Sequence, residues 1–126
     1  MIKIDSMVIE GRKINLAFDT AAMMATEERF ESVANVTEAI NADSGALKAK
    51  MDLVTICAAG GERHKPTDEG AVDDEWIMHN TCPHELDKLV VMAVNNAVYN
   101  MTGKERKKDE PVDVVLEEIE GKNVQS

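Results

Sequence analysis

Three residues with metal-binding side chains lie close together near position 80 of the chain. His79, Cys82 and His84 are spaced His-x-x-Cys-x-His, and His64 is the only other histidine. Imidazole nitrogen and thiolate sulfur are the donors that Zn²⁺ prefers, and four of them complete a tetrahedral site. The spacing matches no common structural zinc pattern, and a second ligand pair is missing. We therefore expect this stretch to be a capping loop before a helix, with zinc binding as the less favoured alternative.

A second concentration of potential ligands is acidic. It consists of Asp68, Glu69, Asp73, Asp74 and Glu75. Carboxylates can hold a hard cation, but the alternating Asp-x-Asp-x-Asp-Gly spacing that wraps Ca²⁺ is missing. Acidic side chains in the first turn of a helix also interact favourably with the positive end of the helix dipole. The sequence therefore predicts a short helix that begins with these acidic residues and continues through Trp76, Ile77 and Met78.

Common catalytic motifs are missing from the sequence. There is no glycine-rich dinucleotide loop, no phosphate-binding Gly-Lys-Ser/Thr and no Gly-x-Ser-x-Gly elbow. The run from His84 to Lys88 begins like a zinc-protease helix, but Lys88 stands where a second histidine ligand is needed. We therefore predict that the protein is not an enzyme and needs no cofactor.

The charge and composition of the chain limit its partners. The net charge is −10, and the only basic cluster, around Lys104 and residues 106–108, is interrupted by acidic residues. Because binding to phosphate backbones needs a sustained positive field, nucleic acid is not expected as a partner. Two cysteines cannot build a disulfide framework, and no segment approaches the ~20 apolar residues of a membrane span. We expect a soluble, intracellular protein that does not bind membranes.

The first thirty residues predict a β-hairpin followed by a helix. Apolar residues alternate with polar ones on both sides of Glu10-Gly11, where a glycine can take the positive φ of a tight turn. Asp19-Thr20 then offers an N-cap for a helix to about Phe30 or Val33. The alternating residues predicted to face the core are Ile2, Ile4 and Val8 in the first strand and Ile14, Leu16 and Phe18 in the second.

Helical patterns dominate the rest of the chain. A short helical segment is predicted at Thr37–Asn41, and a longer helix from Asp43 or Ser44 to Gly60-Gly61, where glycines favour a helix end. The apolar face of this longer helix is formed by Leu47, Met51, Val54 and Ala58. The fold class is therefore α+β and mostly α, with an N-terminal β-hairpin followed by a small bundle of four to five helices.

The clearest element is a long helix from Pro83 to Gly103. Pro83 suits the first helical position, Cys82 or Thr81 the cap, and Glu85 the capping box. Its unbroken apolar stripe makes it a core helix or the contact face for another subunit. The stripe consists of Leu86, Leu89, Val90, Ala93, Val94, Ala97, Val98 and Met101.

We divide the chain into a hairpin-plus-helical domain, residues 1–103, and a C-terminal part, residues 104–126. The C-terminal part has a charged linker and a short amphipathic segment whose apolar residues are Val112, Val115, Leu116 and Ile119. A segment of this length is marginal as an isolated helix. It is therefore expected to dock on its own domain or on a partner.

The order of these elements resembles that of the tail assembly chaperones of long-tailed bacteriophages. The resemblance rests on Gly11–Phe18 in the hairpin, on Glu27–Phe30 at the end of the first helix, and on the acidic, Leu- and Ile-bearing C-terminal segment. It implies a non-enzymatic protein that binds the tape measure protein and keeps it soluble while tail tube subunits polymerise around it. It further implies action in the cytoplasm of the bacterial host and absence from the mature virion.

The expected partners are therefore the tape measure protein and, as a further candidate, the tail tube protein. A homo-oligomer is compatible with a long client that presents many apolar stripes. The hypothetical contact residues are Val112, Val115, Leu116 and Ile119, together with Leu86, Leu89 and Val90 of the long helix. Two alternatives stay open: a structural component of the tail, and an acidic helical adaptor or inhibitor that binds another protein.

Overall fold

The computed structural model describes residues 1–105, which form a β-hairpin and five helices. This confirms the predicted fold class. The elements are β1 (Asp5–Ile9), β2 (Arg12–Leu16), α1 (Thr20–Phe30), α2 (Asn35–Ile40), α3 (Ala46–His64), α4 (Asp74–Asn80) and α5 (Pro83–Thr102). The predicted C-terminal part lies outside the described residues from position 106 onward.

A two-residue turn sets the register of the hairpin. Glu10 and Gly11 both have positive φ, 52° and 75°, which is the backbone of a type I′ turn. Ile9 therefore pairs with Arg12, and the antiparallel ladder continues to Asp5 and Leu16. The predicted turn is confirmed.

The predicted buried side of β1 is wrong. The register pairs Met7 with buried Ile14, whereas it pairs Val8 with exposed Lys13. Val8 is consequently 65% exposed, and Ile9 of the opposite face is buried. Because side chains alternate across a strand, the turn that fixes the register also decides which face meets the core.

The helix caps follow the local sequence. Asp19 caps α1 and Asp73 caps α4, each by accepting a hydrogen bond from a backbone N–H three residues on. Glu85 accepts a hydrogen bond from the Cys82 N–H at the start of α5, and Gly103 ends that helix at φ 76°. These predicted boundaries are confirmed, since each depends on neighbours within one turn.

The predicted end of α3 at its glycine pair is wrong. The helix continues through Gly60 and Gly61 to His64. A Cβ on Gly61 would overlap the carbonyl oxygen of Asn15, and one on Gly60 would overlap that of Ala17. The glycines therefore serve close packing of the helix against the β2 backbone, and not helix termination.

Asn96 of α5 joins the two ends of the hairpin. Its side-chain oxygen accepts a hydrogen bond from the Phe18 N–H at 2.6 Å, and its Nδ2 donates to the Lys3 carbonyl at 2.9 Å. Lys3 and Phe18 would form the next hydrogen-bonded pair if the ladder continued in register. The carboxamide of Asn96 bridges the two backbone groups instead, and it is fully buried.

Candidate protein-binding groove

An apolar groove lies where the first half of α3, the helix α4 and the start of α5 meet. Its volume is about 260 Å³. The residues that line it include Leu47, Met51, Ile77, Met78, Cys82 and Leu86. They are almost all hydrophobic, so the groove is suited to an apolar side chain of a partner rather than to a polar ligand.

The groove has a buried floor and an exposed apolar rim. Ile77 and Leu86 are buried in the core, whereas Leu47 is 59% exposed and Met78 is 58% exposed. Burying a side chain of this size stabilises a protein or complex by roughly 1.5–3 kcal/mol. Covering Leu47 and Met78 is therefore a substantial source of binding free energy.

Local structure places these residues. Gly45, with φ 80°, turns the chain into α3 and sets Leu47 in the first turn. Thr81 and Cys82 form an extended link between α4 and α5, and Pro83 begins α5 in the conformation that a first helical residue favours. The short link holds the ends of α4 and α5 beside each other, which forms one wall of the groove.

Ion pairs connect the helices that form the groove. Lys50 Nζ lies 2.9 Å from Asp87 Oδ1 and joins α3 to α5, while Lys48 pairs with Asp74 and joins α3 to α4. Apolar contacts at the centre with charged groups around them are the usual anatomy of a protein–protein interface. The arrangement is thus able to bind an apolar segment of another protein.

The predicted contact residues of α5 are largely core residues. Leu89 and Val90 are buried, and so is Leu86, which forms part of the groove floor. The apolar stripe of α5 allowed a core helix or a contact face for another subunit, and the structure shows a core helix. The other four predicted contact residues, Val112, Val115, Leu116 and Ile119, lie outside the described residues.

Sequence reasoning did not single out Leu47 and Met78 as contact residues. It placed Leu47 on the apolar face of α3, whose members Val54 and Ala58 are buried while Leu47 in the first turn is exposed. The apolar face that begins at Leu47 was the available signal, and only the structure shows that the first turn of this face is left uncovered. Met78 carries no comparable signal, because its helix is too short for a clear period.

The candidate zinc ligands do not form a metal site with one another. His79, Cys82 and His84 are all exposed, and His64 instead lies 3.0 Å from Asp19. Among residues 1–105, no group of three or more His, Cys, Asp or Glu side chains is arranged to hold a metal ion.

The acidic residues near α4 have structural partners. Asp73 caps the helix by accepting from the Trp76 N–H at 2.8 Å. Asp74 accepts hydrogen bonds from Lys48 and from Thr55 Oγ1. These contacts account for both carboxylates as parts of the fold.

Comparison with protein-family models, with curated proteins and with solved structures finds no match for this chain. The resemblance to tail assembly chaperones therefore stays a prediction. In the described part of the chain, no helix has both the length and the apolar character needed to cross a membrane.

Proposed function

We propose that the protein is a non-enzymatic phage tail assembly chaperone, which binds apolar segments of the tape measure protein and keeps that protein soluble. The observation that carries this proposal is the groove, with its buried floor and its exposed Leu47 and Met78. The resemblance of Gly11–Phe18 and Glu27–Phe30 to the family gives independent support for the identity of the client.

An amphipathic helix is the partner that suits such a groove. Helices of this kind place apolar anchors at positions i, i+3, i+4 and i+7, so one helix can fill a groove with a few side chains. Met51 and Met78 are flexible and polarizable, which allows them to adapt to clients of different shape. A long helical client would present many such anchors, each covered by one chaperone.

The acidity of the chain suits this role. An apolar client covered by a protein of net charge −10 acquires a strongly charged surface. A net charge away from zero opposes association between complexes and keeps them in solution. The proposed site of action is the cytoplasm of the bacterial host, before the tail is complete.

Co-expression with the candidate client tests the proposal. A phage tape measure protein is produced with and without this chain, and its soluble fraction and co-purification are measured. We expect the client to be soluble only in the presence of the chain. The double variant Leu47→Glu/Met78→Glu should lose most of this effect, because it places two charges where apolar contact is required.

Matched variants separate the groove from general surface effects. Met24 is 60% exposed but lies on α1, so Met24→Glu should leave client solubilisation unchanged. The variant Leu116→Asp/Ile119→Asp tests the contribution of the C-terminal segment in the same assay. Full solubilisation by the groove variant, with an unchanged circular dichroism spectrum, would contradict the proposed binding site.

The two alternatives give different results. A structural tail component would be recovered from purified virions, whereas a chaperone would be absent from them. An adaptor or inhibitor would co-purify with a different protein and leave the client insoluble. Either result would replace the chaperone proposal.

A further inference from the structure

The outer edge of β1 is open in the part of the chain that the structure describes. Ile9 and Arg12 flank the two-residue turn and therefore form a hydrogen-bonded pair, as do Met7 and Ile14. The backbone groups of Ser6 and Val8 consequently point away from β2. Among residues 1–105, no backbone or side-chain hydrogen bond outside the hairpin reaches these outward groups.

The opposite edge of the hairpin is covered. The Ala17 N–H, which follows β2 along the same edge, donates a hydrogen bond to the Cys57 carbonyl of α3 at 3.0 Å. Gly60 and Gly61 allow the helix to lie directly against this edge. One edge of the hairpin is thus closed by a helix while the other is left unpaired.

Apolar side chains lie on both faces of the N-terminal segment that contains β1, although only one face meets the core. Ile9 is buried, but Val8 on the other face is 65% exposed and Ile2 is also exposed. Lysine, proline and bulges commonly protect open edges, and Asp5–Ile9 has none of these three; its one charged residue, Asp5, lies at the start of the strand. The unpaired N–H and C=O groups of such an edge are able to pair with a further strand.

We propose that β1 of one chain pairs with β1 of a second copy, antiparallel and about a two-fold axis, to form a four-stranded sheet. An antiparallel edge is complementary to itself, so a second copy supplies the missing strand without any further sequence. In the register that places Ser6 opposite Val8 of the second copy, each such pair exchanges two backbone hydrogen bonds. Met7 then lies at the axis.

Packing and charge favour this register. On the core side of the sheet, Met7 of one copy lies beside Met7 of the other. Ile14 of each copy lies next to its own Met7, so an apolar row runs across the axis. Asp5 lies opposite Ile9 of the second copy, and Arg12 of that copy is next in the same row. The charged residues in this row have opposite signs, and no like charges face each other across the new pair of strands.

The oligomeric state of the full chain tests this proposal. We expect light scattering after size-exclusion chromatography to give twice 13.8 kDa at high concentration. Val8→Lys should lower the mass to 13.8 kDa, since lysine on an edge strand opposes pairing. Met24→Lys, which also replaces an exposed apolar residue by lysine, should keep the dimer.

A proline variant tests the backbone pairing itself. Ser6→Pro removes an outward N–H and leaves the β1–β2 ladder intact, so it should also give the monomer. Ser6→Ala controls for loss of the Ser6 hydroxyl, which contacts Asn15, and should remain dimeric. Circular dichroism and thermal unfolding establish that each variant is folded.

Two results would overturn the proposal. One is a mass of 13.8 kDa for the unaltered chain at every concentration, and the other is a dimer that survives both Val8→Lys and Ser6→Pro. Neither result bears on the groove, which is built from α3, α4 and α5. Failure of the dimer and failure of the chaperone function are therefore distinguishable.

Discussion

Asp19 combines three contacts in one carboxylate. It accepts a hydrogen bond from the Ala22 N–H at 2.8 Å, pairs with Arg63 at 2.7 Å and lies 3.0 Å from His64. The hydrogen bonds from Arg63 hold the pKa of the Asp19 carboxyl well below its usual range, against the opposing effect of burial. The residue thus joins the start of α1 to the end of α3.

Substitutions at Asp19 separate the cap from the ion pair. Asp19→Asn keeps an oxygen for the Ala22 N–H but loses the charge, whereas Asp19→Ala loses both. Because the loss of an N-cap costs about 1 kcal/mol, we expect Asp19→Ala to be less stable than Asp19→Asn by that amount. Urea denaturation of both variants at neutral pH measures the difference, and equal stabilities would contradict the capping role.

The same residue predicts a pH dependence. Since the folded pKa of Asp19 lies below its unfolded value near 3.8, its charge contributes stability above that pH. The contribution is lost as the pH falls from the unfolded value toward the folded one. Asp19→Asn should therefore lose less free energy of unfolding than the unaltered chain below pH 3.8. Parallel acid titrations of the two proteins would contradict this assignment.

Asn96 is the second residue whose substitution should have a large effect. Asn96→Leu leaves the buried Phe18 N–H without its partner, while the Lys3 carbonyl keeps only the hydrogen bond from Asn100 Nδ2. A buried polar group without a hydrogen bond costs about 1–3 kcal/mol, so we expect a loss in that range. Asn80→Ala, on the exposed surface of α4, should change the free energy of unfolding by less than ~0.5 kcal/mol. Similar values for the two variants would show that Asn96 does not join the hairpin to α5.

At the scale of elements, the contact between α3 and β2 organises the molecule. A helix is normally stabilised by about 0.5–1 kcal/mol when an interior glycine is replaced by alanine. The glycine pair of α3 is an exception, because the added methyl group would overlap the backbone of β2. This close contact is also what covers one edge of the hairpin.

Gly61→Ala should therefore destabilise the protein. Overpacking of this kind typically costs about 1–3 kcal/mol, which outweighs the gain in helix propensity. Ala59→Gly in the same helix provides the reciprocal control and should cost roughly 1 kcal/mol, mainly through helix propensity, because Ala59 is only partly buried. Thermal or urea unfolding compares the two variants. An increase in stability for Gly61→Ala would mean that α3 and β2 are further apart than described.

At the scale of the whole molecule, the two cysteines report on different parts of the structure. Cys57 is fully buried, and burial, with a smaller contribution from the Asp19 charge, raises the pKa of its thiol to about 12. Cys82 is exposed and lies in the groove. Because the thiolate is the reactive form, only Cys82 should react readily in the folded protein.

Thiol labelling can therefore follow the groove directly. In the folded chain we expect one rapidly labelled thiol, and a second only after denaturation. Binding of the client should slow the labelling of Cys82, since the groove would then be covered. Cys82→Ser should abolish the rapid phase, which assigns it. Unchanged labelling of Cys82 in a purified complex would place the client elsewhere on the surface.

The parts of this protein that the sequence by itself determined are those that depend on near neighbours. The Glu10-Gly11 turn, the Asp19 cap, the acidic start of α4, and the boundaries of α5 at Pro83 and Gly103 all involve residues within one turn of each other. The apolar stripe of α5 identified a helix with one continuous apolar face for the same reason, but it left open whether the core or another subunit covers that face. The absence of catalytic motifs led to the prediction of a binding protein, and that prediction still awaits experiment.

The tertiary structure alone decided which residues meet from distant parts of the chain. It exposed Val8 and buried Ile9, placed the α3 glycines against β2, and connected Asn96 to Phe18. It also brought Leu47 of α3 and Met78 of α4 to the same groove. These features depend on the packing of surfaces far apart in sequence. A one-dimensional pattern records that a residue is apolar or small, but not which backbone will lie against it.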